Sequence, residues 1–148
     1  KNNEAHVLMT KRALHLRSHA GEISFPGGVY EEDEDDGLLA TALRETNEEV
    51  GVKIETSKVI AELPIVNTRF GFEITPFVCV ISETLEFDPE EDEVDEILEI
   101  PFTSLLASQQ QDVGFSPEKD IVMYWFKHHR IWGASAKILL KIQQLSVY

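Results

Sequence analysis

Three glutamates are grouped within five consecutive residues of this chain. Glu45, Glu48 and Glu49 are related as i, i+3 and i+4, so on a helix their side chains project from one face. Like charges at this spacing destabilise a helix by roughly 0.2–0.5 kcal/mol per pair. A hard divalent cation would relieve the repulsion, because Mg²⁺ and Mn²⁺ prefer carboxylate and water oxygens and often share substrate phosphates. The spacing therefore indicates metal-assisted chemistry on a phosphate compound.

The same side chains could instead form a solvated acidic helix face, and charge count alone would favour that alternative. The residues around them favour the metal site. Gly28 lies ahead of the helix, Arg44 precedes the first glutamate, and Gly51 lies between two valines. A glycine in that last position is typical of a helix C-cap.

Residues 44–52, Arg-Glu-Thr-Asn-Glu-Glu-Val-Gly-Val, resemble the second half of the signature of the Nudix hydrolases. That signature is Gly, five residues, Glu, seven residues, Arg-Glu, an apolar residue, any residue, Glu-Glu, any residue, Gly and an apolar residue. Thr46 stands in the place of the usual aliphatic residue. The resemblance implies the Nudix fold, an α/β fold with a mixed β-sheet sandwiched between α-helices, and hydrolysis of a nucleoside diphosphate derivative.

The first half of the signature is looser. Residues 29–43 separate Gly28 from Arg44, two more than the pattern allows, so an insertion lies within the acidic loop 31–36. Counting forward from Gly28 places Glu34 in the first acidic position of the signature, whereas counting back from Arg44 places Asp36 there. The identity of that acid stays open at the level of the sequence.

A second stretch resembles the element that precedes this signature in coenzyme A diphosphatases. It consists of residues 8–13, Leu-Met-Thr-Lys-Arg-Ala, followed at fixed offsets by Arg17, Gly21 and the turn 25–28, Phe-Pro-Gly-Gly. The two elements together run from residue 8 to residue 52. They imply coenzyme A or an acyl-CoA as the substrate, with 3',5'-ADP and a 4'-phosphopantetheine product.

The charge distribution supports an anion site in the same stretch. The chain carries a formal net charge of -14, yet residues 11–19 contain five basic or imidazole side chains and no acid. Arginine presents a planar fork of donors suited to phosphate oxygens. We therefore expect Arg12 and Arg17 to bind a terminal phosphate that is not cleaved. The alternative is that these side chains pair with Glu22 or with the acidic loop 31–36.

By resemblance, Gly28 brings the backbone close to the metal, Glu45 and Glu49 are its principal ligands, and Glu48 is a further ligand or holds bridging waters. Arg44 is expected to pair with one of the helix carboxylates, because a guanidinium stays protonated and cannot act as a base. The sequence thus predicts catalytic residues Arg44, Glu45, Glu48, Glu49 and Glu93, substrate-binding residues Arg12, Arg17, Phe25 and Gly28, and metal contacts at Gly28, Glu45, Glu48 and Glu49.

Some of these roles have competing explanations. Glu93 is the predicted general base, but its loop also holds Glu91, Asp92 and Asp95. Most acids in such a loop are there because the loop is exposed to solvent, without a catalytic role. Phe25, like the two tryptophans of the chain, could stack on adenine, but aromatic residues in strands usually belong to the core.

Three other functions are weighed against coenzyme A hydrolysis. One is a Nudix diphosphatase for ADP-ribose or a dinucleotide, and another is a non-catalytic nucleotide-binding Nudix domain. A calcium-binding acidic domain ranks last, because the run of acids at 31–36 lacks the residue order of an EF-hand loop.

The amino-acid composition excludes several classes of function. The chain has 27 Asp and Glu against 13 Lys and Arg, which argues against nucleic-acid binding because that requires a basic footprint. The longest apolar stretch, residues 77–81, is too short to cross a bilayer. A single cysteine, Cys79, excludes an internal disulfide, so we expect a cytoplasmic protein and an inert buried thiol. A homodimer is compatible with the family.

Periodicity and turn residues predict the following elements: strands at 5–10, 59–67, 72–82 and 97–100, a helix at 37–50, a short helix at 101–106, a loop at 108–120, a hairpin of 121–127 with 129–132, and a helix from Gly133. In the last helix Ser135 is the predicted cap, and the predicted apolar stripe consists of Ile138, Leu139, Ile142 and Leu145.

We expect one Nudix domain over residues 1–148. Because the sequence starts at Lys1 instead of a methionine, we also expect that an N-terminal segment of the domain is missing, including an apolar strand.

Overall fold

A computed structural model describes residues 3–113 and 121–145. Its helices are α1 (Leu38–Val50), α2 (Phe102–Ala107) and α3 (Gly133–Leu145), with a 3₁₀ turn at Thr56–Lys58. Its strands are β1 (His6–Arg12), β2 (Ile23–Ser24), β3 (Val59–Glu62), β4 (Val66–Asn67), β5 (Glu73–Ile74), β6 (Phe77–Cys79), β7 (Val94–Pro101), β8 (Gln110–Gln111), β9 (Val122–Phe126) and β10 (His129–Ile131).

The longest strand pair, β1 with β7, forms the centre of the fold. The two strands are antiparallel and place Met9 opposite Leu98, both buried. The register shifts between Lys11 and Arg12, as at a β-bulge, which re-aims side chains at the end of a strand. Strand β2 pairs with the other edge of β1, which gives the order β2-β1-β7.

The remaining strands form one three-stranded sheet, ordered β10-β9-β8, and two strand pairs, β3 with β6 and β4 with β5. All pairings within the described residues are antiparallel. The predicted hairpin of β9 and β10 is confirmed, and its turn uses Lys127 at a positive φ of 53°. The described strands and the three helices form an α/β arrangement, with five successive strands, β3 to β7, between α1 and α2.

Two apolar clusters hold these elements together. The larger lies between β1, β7, β9, β10, α2 and α3 and includes the fully buried side chains Met9, Ile100, Tyr124, Ile131 and Leu139. The smaller joins the β3–β4 region to α3 through Leu63, Val66 and Ile138. Phe25 packs against both clusters, so the turn that follows β2 is fixed to the core.

Helix α1 matches the predicted helix closely. It ends at Gly51, which has a φ of 74° and whose N–H donates to the carbonyl of Asn47. A Cβ at position 51 would lie 2.7 Å from Cβ of Asp88, so glycine is required there for both conformation and space. The N–H groups of Asp88 and Glu90 donate to the carbonyls of Val50 and Glu49. These bonds attach the loop that precedes β7 to the end of α1.

Two predicted long strands are shorter in the structure. The stretch 59–67 divides into β3 and β4 at Pro64, and the stretch 72–82 divides into β5 and β6 at Pro76. Proline lacks the N–H that a ladder needs. The N–H of Leu63 still donates to the carbonyl of Pro76 across this interruption, at 2.8 Å.

Three further local predictions were wrong. Helix α3 begins at Gly133, and the hydroxyl of Ser135, already inside the helix, donates to the carbonyl of Ile23 instead of capping. Leu145 is exposed, so the buried stripe of α3 ends one turn earlier. The predicted loop 108–120 contains strand β8, while residues 114–120 lie outside the described residues.

No helix within the described ranges is both long enough and apolar enough to span a bilayer.

Candidate active site

The acidic face of α1 points into the molecule at two of its three glutamates. The side chain of Glu45 is 16% exposed and Glu49 is 9% exposed, whereas the side chain of Glu48 is 55% exposed. Glu45 and Glu49 are one helical turn apart and therefore face the same side. The structure thus separates an inner pair of carboxylates from an outer one.

The glycine turn after β2 lies directly against this inner pair. A Cβ on Gly28 would be 2.3 Å from the carboxyl carbon of Glu45, so a side chain at this position would displace the Glu45 carboxylate. The N–H of Gly27 donates to Oε2 of Glu49 at 3.3 Å. The turn and the helix acids form one site, as the sequence predicted for Gly28, Glu45 and Glu49.

Arg44 is held by a carboxylate that sequence counting did not select. Its Nε and Nη2 donate to the two oxygens of Asp35 at 2.8 and 2.9 Å. The Thr41 hydroxyl and the N–H of Glu31 donate to the same carboxylate at 2.8 and 3.0 Å. The hydrogen bond from Arg44 holds the pKa of Asp35 well below its ordinary value, and the same bond raises the pKa of Arg44.

Asp35 is therefore the loop acid that fixes Arg44, in place of either candidate from the sequence. Asp36 is exposed, and Glu34 is 3.7 Å from Nε of Arg44 with its side chain 57% exposed. The turn in which the N–H groups of Glu34 and Asp35 both donate to the carbonyl of Glu31 directs position 35 inward. A run of six acids has no periodicity that would have identified this residue.

The predicted pairing of Arg44 with the helix carboxylates is also present. Nη1 of Arg44 is 3.1 Å from Oε1 of Glu45 and 3.2 Å from Oε2 of Glu48. One guanidinium thus connects the acidic loop to the helix. Its planar fork fixes the orientation of Glu45 next to Gly28.

Of the two inner carboxylates, Glu45 has one contact with Arg44, and Glu49 has no ion pair among the described residues. Burial raises the pKa of Glu49 to about 7; the Gly27 N–H and Arg12 lower it, while the charges of Glu45 and Glu93 raise it. Burial also raises the pKa of Glu45, which Arg44 opposes. A buried acid that is costly to ionise next to other acids is a typical cation-binding environment.

Glu93 joins this group from the loop that precedes β7. It is exposed, and its charge acts on both Glu45 and Glu49. Its carbonyl accepts a hydrogen bond from the N–H of Ala13 at 2.9 Å. The loop that carries the predicted base is bonded to the end of α1, so the charge of Glu93 acts on both inner acids, while Glu48 lies at the outer edge.

This group of donors fits a divalent cation of the Mg²⁺ type. Its atoms are hard carboxylate oxygens, and Mg²⁺ usually takes only one or two protein carboxylates, with waters and substrate phosphates as the other ligands. Residues 3–113 and 121–145 contain no cluster of three acidic, imidazole or thiol groups already arranged around one point. A pair of inner carboxylates that completes its coordination with water and phosphate is consistent with both facts.

The predicted substrate residues lie at different distances from this centre. Arg12 is close enough to Glu49 to lower its pKa. Its Nη2 donates to the carbonyl of Ser18 at 3.4 Å, and its Nε is a buried polar atom without a hydrogen-bond partner among the described residues. Arg17 is exposed on the loop beyond Arg12. Phe25 packs against both apolar clusters, which favours the core explanation of its ring over stacking on a base.

The tryptophans and paired histidines lie in the β8–β10 sheet or at its end. Nε1 of Trp125 donates to Gln110, and the ring of Trp132 lies under Arg130. His128 occupies the hairpin turn, and His129 is buried with Nε2 3.9 Å from Glu96. None of the four has a described contact with Glu45 or Glu49.

Comparison with known proteins agrees with this geometry. A family model described as the NUDIX domain matches residues 1–137. The chain belongs to the Nudix family. Proteins named "Uncharacterized Nudix hydrolase NudL" from Salmonella paratyphi B and Salmonella newport are each 38% identical over 140 residues, which cover 92% of this chain and 72% of theirs.

A solved structure supports the Nudix fold independently. The crystal structure of a MutT/nudix family protein from Enterococcus faecalis matches 96% of this chain with a TM-score of 0.65 at 16% sequence identity. The chain spans 55% of the length of that protein. The predicted Nudix fold is confirmed, and this Nudix domain is a hydrolase of phosphoric anhydride bonds. Nudix hydrolases act on small nucleoside diphosphate derivatives and generally need a divalent metal ion such as Mg²⁺ or Mn²⁺.

Proposed function

We propose that this Nudix hydrolase cleaves coenzyme A or an acyl-CoA to 3',5'-ADP and the corresponding 4'-phosphopantetheine, with Mg²⁺ or Mn²⁺ as cofactor. The observation that carries the proposal is the position of Arg12. The charge of its guanidinium acts on the inner acid Glu49, and its buried Nε lacks a hydrogen-bond partner among the described residues. A buried unpaired donor costs about 1–3 kcal/mol, and a shift of the Arg12 side chain toward a substrate phosphate would supply the missing acceptor.

In this proposal Glu45 and Glu49 hold the metal, with Glu48 as an outer ligand or a partner of its waters. A bound divalent ion lowers the pKa of a coordinated water and stabilises charge on phosphoryl oxygens. Arg44 keeps Glu45 oriented against Gly28 through its bond to Asp35. These residues contribute positioning and electrostatics, which carry most of the rate in phosphoryl transfer.

Glu93 is the proposed general base. It accepts a proton from the attacking water, the water oxygen bonds to one phosphorus, and the bridging P–O bond breaks. Its side chain is exposed to water, and its charge acts on the inner acids Glu45 and Glu49. General-base groups of this kind must lie within hydrogen-bond reach of the water in the substrate complex.

Arg12 and Arg17 are proposed to hold the 3'-phosphate of coenzyme A. Arg12 is fixed by its bulge position at the end of β1 and by the carbonyl of Ser18, while Arg17 is exposed on the same loop. A fixed guanidinium and an exposed one can approach a phosphate from two sides. Since the 3'-phosphate is not cleaved, this contact adds binding energy remote from the reacting bond.

The test is a comparison of coenzyme A with its 3'-dephospho analogue, each assayed with Mg²⁺ by product chromatography. Arg12→Ala and Arg17→Ala should lower kcat/KM for coenzyme A about 10-fold or more and leave the dephospho analogue nearly unchanged, because a charge-assisted hydrogen bond is worth roughly 1.5–3 kcal/mol. Lys53→Ala, which removes one exposed positive charge after α1, is the control. Equal losses on both substrates would make the arginines structural.

The same assay separates the alternatives. Faster turnover of ADP-ribose or a dinucleotide than of coenzyme A would replace the proposed substrate, and binding without turnover of any of these would indicate a non-catalytic domain. The presence of all three helix acids, with Arg44 in contact with Glu45 and Glu48, supports catalysis. A single Nudix domain, a cytoplasmic location and a possible homodimer remain parts of the proposal that the sequence supports.

A further inference from the structure

The turn between β4 and β5 presents an exposed aromatic ring. Phe70 is 69% exposed, although the turn that carries it is well bonded. The N–H of Thr68 donates to the carbonyl of Phe72 at 2.8 Å, and the N–H of Phe72 donates to the Thr68 hydroxyl at 3.0 Å. Gly71, with a φ of 84°, allows the chain to reverse. The ring is therefore directed outward by an ordered set of hydrogen bonds.

The strands beneath the turn are attached to the core. Val66 of β4 is buried in the smaller apolar cluster, and Nζ of Lys137 donates to the carbonyl of Asn67 at 2.9 Å. An exposed Phe ring is not itself unusual. Its position matters here because it is fixed relative to α3 and to the rest of the domain.

The Phe70 ring contacts the basic segment 11–19. It meets the imidazole of His19 edge-on, with 6.2 Å between ring centroids, and the guanidinium carbon of Arg69 lies 5.7 Å from its centroid. His19 is itself fixed by a hydrogen bond to Glu22 at 2.8 Å. The Nη2 of Arg12 donates to the carbonyl of Ser18, the residue before His19, so the Phe70 ring contacts the same loop that Arg12 contacts.

We propose that Phe70, flanked by Arg69, forms the stacking surface for the adenine base of the substrate. This inference rests on the proposed function. In coenzyme A the 3'-phosphate and the base are attached to the same ribose, so a base site must adjoin the 3'-phosphate site. Phe70 is the exposed aromatic residue with a described contact to the segment that supplies Arg12 and Arg17. Both an aromatic face and a guanidinium stack on nucleobases.

Other aromatic residues fit this role less well. Phe25 is committed to the two apolar clusters, and the Trp125 indole bonds to Gln110 in the β8–β10 sheet. Tyr30, 44% exposed, follows the glycine turn and lies next to Val29, whose carbonyl accepts from Arg44. That places Tyr30 by the metal-binding helix instead of the basic segment.

The test compares Phe70→Ala with Phe72→Ala. Phe72 is a matched control, because it lies in the same turn and is 65% exposed, so its loss removes a similar apolar surface. Phe70→Ala should raise KM for coenzyme A about 5-fold to 150-fold, the range expected for loss of one base–aromatic stack, with kcat little changed. Phe70→Trp should restore binding. Equal increases in KM for Phe70→Ala and Phe72→Ala, or no increase for Phe70→Ala, would overturn the proposal.

A binding experiment makes the result independent of the preferred substrate. AMP and ribose 5-phosphate share the sugar phosphate and differ in the base. Phe70→Ala should weaken inhibition by AMP and leave inhibition by ribose 5-phosphate unchanged, and the added indole of Phe70→Trp should lose fluorescence on titration with AMP. If coenzyme A is not hydrolysed but these differences persist, the proposed substrate fails and the base site stands. If coenzyme A is hydrolysed and AMP binding is unaffected by Phe70→Ala, the base site fails alone.

Discussion

Two buried carboxylates of this domain have opposite pKa shifts because their surroundings differ. Asp35 and Glu49 are 5% and 9% exposed, yet the pKa of Asp35 is lowered by its bond to Arg44 while burial raises the pKa of Glu49 to about 7. The chain supplies a cation for the first acid and a backbone N–H for the second. The difference shows that Asp35 has an ion-pair partner within the fold and supports the proposal that Glu49 binds a cation.

The side chain of Arg44 connects the surroundings of Asp35 to the inner pair of glutamates. Arg44 contacts Asp35 with one part of its guanidinium and Glu45 with another. The paired region therefore orients the cation-binding region without neutralising Glu49. Predictions on each acid test whether this division of roles holds.

The largest effect is expected for Glu49→Gln. Losing a metal-binding carboxylate at the inner pair should lower kcat/KM with saturating Mg²⁺ on the order of 10³-fold, since metal stabilisation of the transition state is worth several kcal/mol. Glu48→Gln is the control from the outer edge of the same helix and should cost far less. Comparable losses for both would contradict the distinction between inner and outer acids.

Glu93→Gln should lower kcat about 10²-fold, toward the small end of the range for a general base, because a metal-bound water is already acidic. Metal affinity, measured by calorimetric titration with Mn²⁺, should change little if Glu93 acts only on the water. Glu91→Gln, in the same exposed loop, serves as the matched control. A large loss of Mn²⁺ affinity in the Glu93 variant would make it a ligand instead.

Asp35→Asn tests the paired region. Arg44 would lose its bidentate partner, so Glu45 should be less well oriented and activity should fall about 10-fold to 100-fold, the usual effect of removing a group that orients a metal ligand. The melting temperature should fall as well. Glu34→Gln and Asp36→Asn, the neighbours that sequence counting selected, should have small effects. A full-activity Asp35→Asn protein would show that the loop acid is dispensable.

The smallest predicted effect concerns stability in the absence of metal. Because the folded pKa of Glu49 lies above its ordinary value of 4.5, its stabilising contribution is complete below about pH 4.5 and is lost as pH rises through about 7. Above that pH, Glu49→Gln should be more stable than the natural protein by on the order of 1–3 kcal/mol, measured by urea unfolding in EDTA. Near pH 4.5 the two should differ little.

Asp35 has the opposite dependence on pH. Its lowered pKa gives stability that is present above its ordinary value of 3.8 and is lost as pH falls through the folded pKa. A stability difference between Asp35→Asn and the natural protein should therefore shrink in acid. If the Glu49 and Asp35 variants showed the same trend with pH, the contrast between the two acids would be wrong.

Sequence reasoning located most of the centre because its chemistry is local. Glu45 and Glu49 are separated by one helical turn, so spacing alone implied that they share a face, whereas the position of Gly28 beside them followed from the resemblance to the Nudix signature. The sequence did not identify Asp35 as the partner of Arg44. Which of the six consecutive acids points inward depends on the backbone hydrogen bonds of one turn in the loop. That turn depends on three-dimensional contacts with Thr41 and Arg44.

The fold shows the same division. Helix α1, strand β1 and the β9–β10 hairpin followed from periodicity, and their bounds differ from the prediction by only a few residues. The breaks at Pro64 and Pro76 were visible in the sequence, but how the chain pairs across them was not. Ser135 was predicted to be a helix cap because capping rules use only neighbouring residues. Its actual hydrogen-bond acceptor, the carbonyl of Ile23, is distant along the chain.

The attachment of the β7 loop to α1 has a mechanical consequence. Lifting Glu93 away from the glutamates would break the main-chain bonds from Asp88 and Glu90 and uncover the crowded end of the helix at Gly51. Glu93 and the glutamates of α1 are therefore held together as one rigid unit.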